Sequence, residues 1–204
     1  MKNTKFFFKT VLCGLAFGIA SCTKTVNVPS TKPVLPNGEV ELTTFCIDEA
    51  YDRPGEYMAG LGISEGHDRR NKAIVGANRV AITDIETRYI GVLKNVIEEY
   101  TKDTTIPSGQ RIYEDKLEGG VEAIGTKIIE KHANAVCRKI TQDATGAFVG
   151  YVAVHVDVED LQKGLQEELD VRKVDYDAEK LMKKHKAALS DSSSKKQKEL
   201  DTWK

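Results

Sequence analysis

Apolar positions recur with two different periods along the chain, and each change of period marks an element. From Glu39 the run Glu-Val-Glu-Leu-Thr-Thr-Phe-Cys-Ile puts Val40, Leu42, Thr44 and Cys46 on one face at period two, which predicts a half-buried strand. A polar turn from Asp48 to Gly55 leads to a second short strand, Tyr57-Met58-Ala59-Gly60-Leu61-Gly62-Ile63. Ser64 is then placed to cap a long helix with Glu65 and Asp68 near its start. Along that helix Ala73, Ala77, Val80, Ala81, Ile85, Tyr89, Val92, Val96 and Tyr100 step mostly by three or four. Thr104 to Gly109, with Pro107, ends it. A weaker helix follows with Leu117, Val121, Ile124 and Ile128 inward, although Gly119, Gly120 and Gly125 each cost it up to about 1 kcal/mol relative to Ala.

Ala133 to Gln142 and Ala147 to Asp157, joined by Asp143-Ala144-Thr145-Gly146, form a hairpin. If Gln142 pairs with Ala147, then Phe148, Val152, Val154 and Val156 share a face with Ala135 and Cys137, while Tyr151 and His155 face the other way with Arg138 and Asn134. A slip of one residue reverses that assignment. Val158, Leu161, Leu165 and Leu169 mark a short helix begun at Asp157. After Val174 the chain turns to Lys, Glu, Asp and Ser, which bury too little apolar surface to offset ordering entropy; a charged, mobile tail over 171–204, at best a solvated helix, is expected. The fold class is therefore α/β in the α+β sense: a small antiparallel sheet of three to four strands packed on one long helix, plus shorter helices.

The N-terminus has a pattern of its own. Lys2, Lys5 and Lys9 flank an apolar run from Phe6 to Ala20 that is short for a bilayer span and reads as a secretory signal. Its end, Ile19-Ala20-Ser21-Cys22, resembles a bacterial lipobox, in which the Cys is acylated and becomes the first mature residue. The division expected is a lipoprotein signal peptide over 1–21, a proline-bearing tether over 22–38, a domain over 39–170 and the charged tail. Loss of the three signal lysines takes the formal charge from -1 to -4. That balance gives no general pull toward nucleic acid. One acyl chain anchors only marginally, so a Cys carrying several is what makes attachment durable. Thr23 and Lys24 after the lipidated Cys resemble the sorting pattern of an outer-membrane lipoprotein.

Two cysteines remain in the domain, Cys46 and Cys137. Both fall on apolar strand faces, the setting of buried inert thiols; a Cys46–Cys137 bridge is the other arrangement open to them in an oxidising compartment. The glycines Gly60, Gly62 and Gly66 superficially suggest a nucleotide loop, but two lie within a strand, where close packing of backbone against the long helix explains them. His132, His155, Asp157, Glu159 and Asp160 are candidate metal ligands, yet Asp157 and Asp160 are accounted for as N-cap and N3 partner of a helix, and Cys137 is placed on the face opposite His155. No cofactor, metal site or catalytic set is predicted, and the chain is read as a non-enzyme.

Phe45-Cys46, Gly60-Leu61-Gly62-Ile63-Ser64, the alanines Ala73, Ala77 and Ala81, and Tyr151-Val152-Ala153-Val154 occur in the order found in the LPP-twenty family of bacterial envelope lipoproteins, which the chain resembles over about 40 to 170. That family has no established catalytic residue to transfer; the chain also resembles the N-terminal domain of a flagellar outer-membrane-ring assembly protein, which implies an α/β module used for assembly and binding. The expected role is that of a non-catalytic envelope lipoprotein, anchored through Cys22 to the outer membrane with its domain in the periplasm or at the cell surface, acting in structure, assembly or interaction with envelope proteins or cell-wall glycan. The alternative is a ligand-binding module using an exposed sheet face near Tyr151 and His155.

Overall fold

The computed structural model describes residues 44–103, 120–174 and 176–201. The signal, Cys22, the tether, the start of the 39–47 segment, the 104–109 break and Leu117 lie outside the described residues. Three strands, β1 (Tyr57–His67), β2 (Asn134–Gln142) and β3 (Phe148–Asp157), make one antiparallel sheet in the order β1-β3-β2. Among the described residues four helices accompany it: α1 (Arg70–Asp103), α2 (Val121–His132), α3 (Val158–Val171) and α4 (Ala178–Asp201). The architecture is α+β, with the long helix on the sheet as its period predicts.

Helix α1 reaches the sheet through its smallest residues. Ala73, Ala77 and Ala81 are fully buried, and opposite them lie Gly150, Gly62 and Gly60 respectively. At each glycine an added Cβ would collide with a carbonyl of α1, so the helix backbone rests directly on the strands. Further along, Ile85, Tyr89, Val92, Val96 and Tyr100 continue the buried stripe, joined by Leu93 and Ile97. Val80, counted with the stripe by its spacing, is 48% exposed.

The helix begins later than its cap residue suggests. Ser64 is still in β1, and its hydroxyl lies 2.6 Å from Nε2 of His67 instead of capping a helix. Gly66, at φ +75°, and a register shift between Ser64 and His67 end the strand before α1 starts at Arg70. Asp157, by contrast, does precede α3, but makes no side-chain cap; Val158 N–H instead donates to Glu56 O at 2.8 Å.

The hairpin combines both registers considered for it. Asp143 N–H donates to Ala147 O, and Asp143 Oδ1 accepts from the N–H groups of Thr145 and Ala147, which moves the first strand pair to Gln142 with Phe148. A bulge between Ala135 and Cys137 then restores Ala135 opposite Val154 and Asn134 opposite His155. Cys137 pairs with Ala153 and Arg138 with Val152, so the two are exchanged between faces relative to the expected register. Cys137 shares the face of Tyr151 and His155, away from α1.

Two expectations are overturned outright. Thr44 to Ile47 is a turn leading into a 3-10 turn at Asp48–Ala50, not a strand; Cys46 sits at φ 62°, which no strand accommodates. The charged tail is not solvated: α4 lays Leu181, His185, Leu189 and Ser193 into the core against α1. These residues recur every four positions, a sparse stripe hidden among lysines. Asp177 starts the helix, its side chain accepting from Lys180 N–H at 3.0 Å and its N–H donating to the Tyr100 hydroxyl at 2.8 Å.

Candidate functional site

On the face of the sheet away from α1, the segment 44–53 forms a cap. Cys46 and Cys137 are joined as a disulfide with a Cα separation of 5.7 Å, within the range such a bond spans without distortion. They are thus bonded rather than free buried thiols, and they meet on the outer face, not on inward ones. Phe45 stands edge-on to Tyr151 at 5.3 Å, and Tyr57 stacks on His155 at 3.9 Å. His155 Nε2 lies 2.6 Å from Glu49 O. The face near Tyr151 and His155 is therefore not open as expected: both rings are half-buried and engaged by the cap.

The outer edge of β1 carries a second assembly. Asp52, 3% exposed, accepts from Ala59 N–H through Oδ1 at 2.7 Å and pairs with Arg88 through Oδ2 at 2.7 Å. Arg88 also donates to Ala59 O, and Lys196 Nζ donates to the same carbonyl at 2.6 Å and to Asp84 at 2.8 Å. Both main-chain groups of Ala59 on the edge strand are thereby satisfied, which blocks strand addition at that residue. Burial, reinforced by the neighbouring Arg88, lowers the Lys196 ammonium, while Asp84 pulls it back up. Two acids and two bases balance, so the cluster holds no surplus charge for a ligand.

Between α1 and α4 runs a groove of about 580 Å³, lined in part by Asn95, Glu99, Lys184, Asp191 and Lys195. Its charges pair across or along the helices, with Lys195 to Asp191 at 2.8 Å and Lys184 to Glu99 at 3.9 Å. The proposed metal ligands do not converge: His132 Nδ1 is 3.4 Å from Asp160 Oδ2, whereas His155 is taken by the cap. Among the described residues no group of three or more His, Cys, Asp or Glu is placed to hold a metal ion.

Asp52, Arg88, Lys196 and His185 are not among the residues that the sequence pattern singles out. Asp52 lies in a polar turn and Lys196 in a lysine-rich segment 112 residues from its partner Asp84, so no local pattern sets them apart. Compared with protein-family models, curated proteins and solved structures, the chain has no match.

Proposed function

We propose that the chain is a lipoprotein of the bacterial envelope, held to the outer membrane by acyl groups on Cys22, with its α+β domain in the periplasm acting in structure, assembly or binding rather than catalysis. The observation that carries this reading is the Cys46–Cys137 disulfide. Such bonds persist where the chain has left the reducing cytosol, in keeping with a secretory signal ahead of Cys22. No helix among the described residues is long and apolar enough to cross a membrane, so in this reading the lipid supplies the attachment. The LPP-twenty resemblance supports the same assignment.

The anchor is tested by detergent phase partitioning of the native protein and of Cys22→Ser, with mass analysis of the N-terminal peptide. Wild type is expected in the detergent phase beginning at an acylated Cys22, and the variant in the aqueous phase. A water-soluble wild type beginning elsewhere overturns the proposal. The interaction role is tested by crosslinking in intact cells, where reproducible recovery of one envelope protein or cell-wall glycan is expected; repeated recovery of neither counts against it.

A further inference from the structure

The inward stripe of α4 contains one residue whose chemistry does not suit its place. His185 is 0% exposed, and neither ring nitrogen has a hydrogen-bond partner. Its ring lies edge-on to Tyr89 of α1 at 5.7 Å, within the same core that takes Leu181 and Leu189 from α4 and Leu161, Leu165 and Leu169 from α3. The Tyr89 hydroxyl donates to Leu161 O at 3.2 Å. An imidazole in this position is accommodated only while neutral, because the cation would bring two donors and a charge into a site that satisfies neither.

We propose that α4 is an acid-released strap: when His185 takes a proton from solvent, α4 leaves α1 while the sheet and α1 remain folded. The fold allows the motion. Helix α4 is the last element described, joined to α3 only through residues 172–177, and at its far end held by Lys196 on Asp84 and Ala59. Its departure uncovers Tyr89 and its neighbours on α1 together with the β1 edge at Ala59.

The other charged groups at the interface are paired with one another, and the Asp84→Asn variant below separates the pair that holds the far end of α4 from His185. Tyr89 is the titratable ring facing His185 from α1, and burial keeps it neutral. Nearby, α1 offers Asp84, Arg88 and Glu99, and α4 offers Lys184 and Lys196, paired as described. On α3, the buried Glu168 is paired with Lys127 of α2 at 2.5 Å. Burial is the cause that brings His185 down from 6.5 to about 4. Because the docked form is the one depressed, docking is at full strength above pH 6.5 and is lost as pH falls toward 4. Over that window the docking constant falls about tenfold per pH unit, to a total of about 300-fold.

Amide hydrogen exchange on the full chain, expressed as protection factors at pH 7 and pH 4.5, tests the proposal. Protection in α4 is expected to fall by one to two orders of magnitude while β3 holds. His185→Leu should keep α4 protected at both pH values, whereas Asp84→Asn should retain the fall. If His185→Leu does not fold, His185→Phe gives the same readout. Constant α4 protection in wild type, loss of β3 together with α4, or an unchanged response in the His185 variant overturns the strap.

Discussion

Gly62 of β1 lies directly against the carbonyl oxygen of Ala77 in α1, with no room for even one added carbon. This contact, repeated at Gly60 with Ala81 and Gly150 with Ala73, sets how near helix and sheet come. Gly62→Ala must therefore push backbone from backbone and is expected to cost about 2 to 3 kcal/mol, in the upper range for overpacking. Gly91, in the middle of α1, has open space at the same position, so Gly91→Ala should instead stabilise by about 0.5 to 1 kcal/mol. Urea unfolding of the two variants, run side by side, checks both signs.

Asp52 is buried with Arg88 as its ionic partner. Removing the guanidinium in Arg88→Met leaves a buried carboxylate without its countercharge and should cost about 3 to 5 kcal/mol. The double variant with Asp52→Asn should recover part of that loss, since the charge in need of a partner is gone. A double-mutant cycle on unfolding free energies measures the coupling.

The disulfide closes a separation of 91 residues between the cap and β2. Cys46→Ala with Cys137→Ala is expected to lower stability by about 2 to 4 kcal/mol and to make 44–53 the first site of proteolysis. Non-reducing mass analysis of the native chain should find no free thiol at either position.

Tyr89 is fully buried and burial raises its phenol well above 10. The unfolded chain can lose that proton near 10 while the folded chain retains it. Stability from this group is thus present below pH 10 and declines as pH rises beyond it. In thermal melts from pH 8 to 11, Tyr89→Phe should start lower, for want of the bond to Leu161 O, and fall less steeply than wild type.

Glycine spacing and alanine spacing in the sequence were sufficient to pair a strand with a long helix, because a backbone contact demands small residues on both sides. The hairpin was equally legible, since Asp143 to Gly146 is local turn chemistry. Its register was not. The turn pairs Gln142 with Phe148, which puts the Cys137 sulfur on the other face, and the bulge beyond it restores the expected pairs at Ala135 and Asn134; neither leaves a trace in a period-two pattern.

The sequence by itself determined the elements whose causes lie within a few residues: the α1 stripe, the hairpin and the start of α3. Tertiary structure alone decided the cap, the face on which Cys46 meets Cys137, the closing of the β1 edge by Asp52, Arg88 and Lys196, and the docking of α4. Each of those depends on partners brought together from far along the chain, where the energy of a contact depends on which surface is there to receive it. A lysine-rich segment whose inward leucines, Leu181 and Leu189, are two turns apart looks solvated until α1 supplies the surface that those leucines and His185 occupy.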